Sequence, residues 1–228
     1  SGPYRQLLRA ILRDPAMLIY LDNRLNTREK PQENFPREPM ELFTMGVGNY
    51  SEQDVREIAR ALTGEALNER AAENWPFEYE FQADQHDDGV KLVFGQDIHS
   101  AQPGEEANQI IDLILDRVSG APISPAHARL PAAALYLSWK FVNWFVLETV
   151  PLEHPVVAEL GQYFYETQAD GDNYSVRELL RKLFKSRFFF ETACRYRMYK
   201  HPLDYLVMAV RNLDLHEAAY VTRWPLNK

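Results

Sequence analysis

Residues 32–64 read QENFPREPMELFTMGVGNYSEQDVREIARALTG, and no other stretch holds so many residues that are costly to place without a reason. Its prolines restrict where a helix can begin. A proline deep inside a helix loses a hydrogen bond and clashes with the preceding turn, at a cost of about 3 kcal/mol. We therefore predict an extended segment over Asn34–Arg37, with Glu38 as N-cap and Pro39 at the first helical position. This helix should run to about Met45 and end at the glycines that follow.

The second half of the stretch predicts another helix. Ser51 and Asp54 resemble a capping box. In this motif the side chains of two residues three apart each accept a hydrogen bond from the backbone N–H of the other, at the start of a helix. Gly64 is well placed to end this helix. Between these limits, apolar residues recur at helical spacing: Val55, Ile58, Ala59 and Leu62.

Helical signals also dominate the chain outside this stretch. Asp14 followed by Pro15 reads as an N-cap and a first helical residue. Apolar periodicity and capping residues predict further helices at about 104–118, 131–148 and 155–168, and from Ser175 and from Pro202.

One region alternates between apolar and polar residues, which is typical of strands. We predict a β-hairpin from Phe77–Gln82 and Val90–Phe94, joined by residues 83–89. The predicted fold class is therefore mainly α: a single multi-helical domain over 1–228 with one β-hairpin excursion. Its parts are the signature segment 14–64, the hairpin 77–95 and a helical remainder 104–214.

Composition excludes several classes of protein. The net charge of −8 argues against a specific nucleic-acid binder, which needs a basic face. Cys194 is the only cysteine, so an intrachain disulfide or a cysteine-rich zinc site is impossible. Gly-x-Ser-x-Gly, P-loop and Gly-x-Gly-x-x-Gly patterns are missing, and no cofactor-binding motif is predicted. The most apolar run, Ala132–Val150, contains Lys140, Asn143 and Glu148, which indicates a buried helix and no transmembrane segment.

The charge is unevenly distributed. Residues 177–200 contain eight Lys or Arg and two Glu. They are either the solvated side of helices that dock on an acidic body, or a binding face for an anionic polymer or lipid.

Three carboxylates form the sharpest candidate site. Glu38 and Glu41 are three residues apart and should share a helix face, and Glu33 should approach from the extended segment. Converging carboxylates could bind a divalent cation such as Ca²⁺ or Mg²⁺, and Glu38 or Glu41 could then act in catalysis. The alternative is a structural ion-pair network with the basic and acidic side chains of the same stretch: Arg37, Arg56, Arg60 and Asp54.

Two further candidates lie outside this stretch. His86 and Asp87 are predicted at the hairpin tip, where they could join a metal site or simply be solvated. Lys140 lies among aromatic residues, so we expect it to be buried and paired with a carboxylate from residues 33–41. A catalytic lysine with a lowered pKa is the alternative. Its aromatic neighbours are expected in the core, or in part along a sugar-stacking groove: Tyr136, Trp139, Phe141, Trp144 and Phe145.

The signature stretch and its flanks resemble a bacterial family catalogued as domain of unknown function 1800. The resemblance covers about residues 4–214 and rests mainly on the segments Asp14-Pro-Ala-Met-Leu, Glu33-Asn-Phe, Glu41-Leu-Phe-Thr-Met-Gly46, Tyr50-Ser-Glu-x-Asp54-Val and Ala59-Arg-Ala-x-Thr-Gly64, with weaker matches at His86-Asp87, Lys91 and Gly95. The chain departs from the family pattern at three positions. Gln32 replaces the usual Asn, Pro39 replaces an apolar residue, and Phe43 replaces a frequent His, which removes any metal or proton role there.

The resemblance implies a helical fold but no reaction. Family members are usually longer and often exported, so we expect this chain to be part of a longer protein from the periplasm or cell envelope. The first functional hypothesis is a binding or assembly module that works with a partner protein. The alternative is a metal-assisted hydrolase that uses Glu33, Glu38 and Glu41. A third hypothesis is an anionic-polymer binder that uses residues 177–200.

Overall fold

A computed structural model describes residues 3–68, 77–100, 102, 104–118, 130–168, 171–195 and 202–212. These residues confirm a mainly α fold with a small β excursion. The helices are α1 (Tyr4–Ile11), α2 (Pro15–Tyr20), α3 (Asn34–Glu38), a π-helix (Pro39–Thr44), α4 (Glu52–Ala61), α5 (Glu105–Asp116), α6 (Ala132–Phe145), α7 (Pro155–Glu166), α8 (Val176–Lys185), α9 (Arg187–Phe190) and α10 (Pro202–Asn212). Within these ranges, no helix is long and apolar enough to cross a membrane.

Three of the predicted helix starts are confirmed by their caps. Asp14 Oδ1 accepts a hydrogen bond from the Ala16 N–H at 2.9 Å, which begins α2 at Pro15. Ser51 and Asp54 form the full capping box of α4. Ser175 Oγ accepts from the Glu178 N–H at the start of α8. Capping satisfies backbone N–H groups that have no partner inside the helix.

The predicted extended segment over Asn34–Arg37 is wrong, because α3 begins at Asn34. Pro36 is the third residue of α3, in the first turn, where an N–H has no partner inside the helix and its loss costs little. Pro39 has no N–H to donate to the Phe35 carbonyl, so the regular ladder breaks there. The chain continues as the π-helix, in which the Met45 N–H donates to the Met40 carbonyl at 3.0 Å.

Each of the two predicted strand segments contains a strand, β2 (Tyr79–Phe81) or β3 (Lys91–Val93), but β1 (Glu65–Leu67) and β4 (Gln96–Ile98) are not predicted and the predicted pairing is wrong. β1 pairs with β2, and β3 pairs with β4, both antiparallel. Phe94 and Gly95 both have positive φ and form the two-residue turn of the β3–β4 hairpin. The predicted partners β2 and β3 therefore belong to different sheets.

Helix α4 supports the free edge of β3. The Leu92 N–H donates to Glu57 Oε2 at 3.2 Å, and the Phe94 N–H donates to Asp54 Oδ1 at 2.8 Å. Burial opposes ionisation of Asp54, but hydrogen bonds from Ser51 and Phe94 hold its pKa below the usual value. These carboxylates satisfy a backbone donor of β3 and one of the following turn, which would otherwise be open to another chain.

Helix α6 lies at the centre of the core and packs against α5, α7, α8 and the π-helix. Its first turn is made of alanines that are buried, Ala132 to Ala134. Gly161 of α7 sits so close that an added Cβ would lie 3.1 Å from Leu135 Cδ2. Small residues on both helices thus allow their backbones to approach closely.

The π-helix also packs against α6, and Gly46, two residues after its end, contacts Tyr136. A Cβ added to Gly46 would lie 2.7 Å from Cδ2 of the Tyr136 ring, and Gly46 has φ of +75°. No atom lies within 4 Å of the corresponding position at Gly48, whose φ is +91°.

We expect Gly46→Ala to lower the free energy of unfolding by about 2–4 kcal/mol, since it adds a steric clash to left-handed backbone strain. Gly48→Ala is the matched control, and strain alone should cost it about 1–2 kcal/mol. Urea unfolding of both variants measures the difference. Equal losses would show that the Tyr136 contact adds no constraint.

Candidate functional site

Arg37 lies between the carboxylates that the sequence singled out. Its guanidinium is 3.6 Å from Glu33, 3.7 Å from Glu41 and 2.7 Å from Glu52. The hydrogen bond to Glu52 is the main reason why the pKa of Arg37 is raised. The structure therefore brings Glu33 and Glu41 together around a cation that the chain itself supplies.

The third predicted carboxylate, Glu38, is half-buried at the end of α3. Glu41 also accepts a hydrogen bond from the Tyr50 hydroxyl. Burial and this contact with Glu41 raise the pKa of Tyr50 to about 12. Among the described residues, no group of three or more His, Cys, Asp or Glu side chains is arranged to hold a metal ion. The geometry around Arg37 favours the ion-pair interpretation of Glu33 and Glu41.

We expect Ca²⁺ or Mg²⁺ to raise the melting temperature by less than about 1 °C, because a bound cation would have to displace Arg37. Thermal melting with EDTA and with each metal measures this. A saturable rise that disappears in the double variant Glu38→Gln, Glu41→Gln would contradict the ion-pair interpretation and support a metal site.

The other two arginines of the expected network have different partners. Arg60 binds Asp87 at 2.8 Å and Glu57 at 2.7 Å, and Arg56 donates to Gln53 Oε1 at 2.9 Å. Asp87 is the main cause of the raised pKa of Arg60. The contact between Arg60 and Asp87 holds the segment before β3 against α4.

His86 does not lie at a solvated hairpin tip, so that prediction is wrong. The side chain is buried, and Nδ1 lies 2.7 Å from the Thr63 carbonyl. A carbonyl only accepts hydrogen bonds, so Nδ1 must carry a proton. Nε2 lies 3.6 Å from Glu106 Oε2. Burial would lower the pKa of His86, but Glu106 and the Thr63 carbonyl raise it. Both ring nitrogens are thus engaged inside the protein, and Asp87 faces Arg60 instead of His86.

Among the described residues, the lysine that is buried is Lys91, and the sequence did not indicate this. Lys91 is 0% exposed, and its ammonium donates to Glu106 Oε2 at 2.6 Å and to the Asp87 carbonyl. Burial would raise the pKa of Glu106, but its contacts with His86 and Lys91 lower it. Lys91, Glu106 and His86 therefore form one buried charged cluster that joins β3 to α5. Lys91 and Val93 face the buried side of β3 and Leu92 faces solvent. This is the reverse of what the alternation of apolar Val90 and Leu92 with polar Lys91 predicts.

A cavity of about 260 Å³ lies beside this cluster. It is lined by His86, Glu106 and the more exposed His99, whose Nδ1 lies 3.9 Å from Glu106 Oε1. Because Lys91 and His86 already compensate the charge of Glu106, we interpret the cluster as a structural connection between the β-hairpin and α5.

We expect Glu106→Gln to lower the free energy of unfolding by about 3–5 kcal/mol, because it leaves the buried Lys91 ammonium without its counter-ion. Glu105→Gln, at the exposed neighbouring position, is the matched control and should change stability by less than about 0.5 kcal/mol. Urea unfolding at neutral pH compares them. Similar values for the two variants would show that Lys91 does not depend on Glu106.

The prediction that Lys140 is buried and paired with a carboxylate is wrong on both points. Its residue is exposed, and its ammonium donates to the Leu42 carbonyl at 2.7 Å and lies 5.5 Å from the centre of the Tyr136 ring. Partial desolvation lowers the pKa of Lys140. Within the described ranges, no carboxylate lies within ion-pair distance of it. The prediction of a carboxylate from residues 33–41 is therefore wrong, although the acceptor does belong to the π-helix.

Lys140 lies in a groove between the π-helix and α6, which we call the aromatic groove. Its volume is about 320 Å³. Trp144 is 75% exposed and Phe145 is 38% exposed at its edge, so the prediction that both are core residues is wrong. The lining is apolar except for Lys140 and consists of Tyr4, Leu42, Phe43, Leu137, Lys140, Phe141, Trp144 and Phe145.

The apolar surface continues beyond the groove onto α8 and α9, as an aromatic ridge of Phe184, Phe189 and Phe190. The Phe145 ring centre is 5.5 Å from that of Phe184, which is 5.2 Å from that of Phe189. Phe190, 5.2 Å further along, is 61% exposed. The groove and the ridge thus form one continuous apolar surface, whereas apolar residues on a protein surface are normally scattered singly.

The basic segment 177–200 overlaps this ridge. Lys182 pairs with Glu159 at 3.0 Å, and Arg181 pairs with Glu178 at 3.1 Å. Lys185 and Arg187 are exposed between Phe184 and Phe189 in the sequence. Arg197 and Lys200 lie outside the described residues. Part of the positive charge is thus used by internal ion pairs, and part borders the aromatic ridge.

The model of a protein family described as "Protein of unknown function (DUF1800)" matches residues 1–228, the whole chain. No curated protein and no solved structure matches the chain.

Proposed function

The chain belongs to the DUF1800 family of proteins of unknown function, and we propose that it is a binding or assembly module that engages a partner protein. The observation that carries this proposal is the exposed aromatic surface formed by the aromatic groove and the aromatic ridge. Large contiguous apolar patches are rare on proteins that work alone, and they usually mark interaction sites. Aromatic anchors at such sites supply much of the binding energy.

The shape of the surface also supports a protein partner. The groove can receive one or two side chains, and the ridge extends the apolar contact across α8 and α9. A small ligand in the groove would leave Phe190 of the ridge in water. A partner that covers both parts would remove that exposure.

The proposal places this module in a bacterial cell envelope, as an exported protein. Its support is the resemblance described above, in which family members are often exported. A metal-assisted hydrolase built on Glu33, Glu38 and Glu41 has less support, because Arg37 already faces two of these three carboxylates.

We expect a photo-crosslinking residue, p-benzoylphenylalanine, at position 144 to form a defined adduct in the producing cell. The same residue at position 20 is the matched control, because Tyr20 is equally exposed but does not line the groove. Phe190→Ser in the same molecule should reduce the yield at position 144, since it removes part of the shared surface. Gel electrophoresis and mass spectrometry detect and identify the adduct. Equal adducts at positions 20 and 144, or a yield unaffected by Phe190→Ser, would contradict the proposal.

A further inference from the structure

The aromatic groove contains a single charged side chain, Lys140, in a lining that is otherwise apolar. Lys140 lies one helical turn before Trp144 on α6, so both side chains face the same side of the helix. Any partner that buries Trp144 must therefore come close to the ammonium group.

Lys140 has hydrogen-bonding capacity left. Its ammonium carries three donors, and the structure assigns one of them to the Leu42 carbonyl. The ring of Tyr136 faces it at 5.5 Å, and no described carboxylate is within ion-pair distance. Covering the groove with a purely apolar partner would desolvate this cation without compensation, which is costly. A partner with a carboxylate at this point would instead gain a charge-assisted hydrogen bond.

The walls of the groove limit the form of the partner segment. They are formed by the π-helix, α6 and Tyr4 of α1, so among the described residues helices and no strand line the groove. No strand edge is offered, so a segment cannot bind by adding a strand, and contacts must be made through side chains. An amphipathic helix that lays its apolar face into a groove binds in this way.

We propose that the aromatic groove receives an amphipathic helix of a partner protein, which places an Asp or Glu side chain against Lys140. This inference rests on the proposed function, because it specifies the partner of the same surface. Lys140 is then the residue that selects acidic helices over neutral or basic ones.

A phage-displayed library of random peptides, each long enough for three helical turns, tests the inference. It is selected in parallel against the wild-type chain, Lys140→Glu, Trp144→Ala and the control Lys30→Glu, which reverses an exposed lysine away from the groove. Circular dichroism and thermal melting establish that each variant is folded.

We expect the wild type and Lys30→Glu to enrich the same peptides, with apolar residues three and four apart and an acidic residue beside them. Lys140→Glu should bind these peptides at least about tenfold more weakly, the loss of one charge-assisted hydrogen bond, and should select basic residues instead. Trp144→Ala should abolish enrichment.

The outcomes separate the two proposals. Peptides that require Trp144 but bind Lys140→Glu equally well would overturn the acidic-helix inference and leave the groove as a peptide site. Failure to enrich any Trp144-dependent peptide would count against both. Trp144-dependent flotation with anionic vesicles would assign the groove to lipid, and Trp144-dependent self-association in sedimentation would assign it to a second copy. Either would overturn the inference.

Discussion

The close contact between Gly46 and Tyr136 fixes how the signature stretch meets the central helix. Gly46 needs both a left-handed backbone and the absence of a side chain, and the Tyr136 ring occupies the space that a Cβ would require. The Met40 carbonyl accepts hydrogen bonds from both Met45 and Gly46, which closes the π-helix at this point. The widened turn also leaves the Leu42 carbonyl within 2.7 Å of the Lys140 ammonium. One wall of the aromatic groove is thus a direct consequence of how this stretch ends.

Several charged side chains are paired within the protein, whereas Lys140 lies at an exposed groove. Asp54 and Glu57 hold the edge of β3, Glu106 compensates Lys91, and Arg37 gathers the carboxylates of Glu33 and Glu41. These contacts include residues that the sequence indicates as candidates for catalysis or metal binding. Lys140 is different, because it borders a large apolar surface and its described partners are only a carbonyl and an aromatic ring. The structure therefore favours the aromatic groove over the carboxylates of residues 33–41 as the functional site.

The sequence predicts elements well where the signal is local. Asp14, Ser51 and Ser175 mark helix starts because a cap involves only neighbouring residues. Prediction from the sequence fails where the structure depends on contacts between residues that are distant in the chain. β1 is three residues long, too short to show alternation, so β2 was assigned to the wrong partner. Lys91 and Lys140 both lie among apolar residues in the sequence, and only the fold shows that the first is buried and the second borders a groove. The sequence predicts an extended segment before Pro39 because a proline inside a helix is costly. In the structure Pro36 is tolerated in the first turn of α3, and the chain accommodates Pro39 by continuing as a π-helix.

We propose that the aromatic groove is the surface through which this protein binds its partner. The most direct test is fluorine NMR of the chain labelled with 5-fluorotryptophan, with the Trp144 resonance assigned from Trp144→Phe. Its spectrum is recorded before and after addition of an envelope extract from the producing cell. We predict that the Trp144 resonance shifts or broadens while that of Trp139, which packs against the core, changes little. A spectrum in which Trp144 stays unchanged while another tryptophan responds, or in which no resonance responds, would contradict the claim.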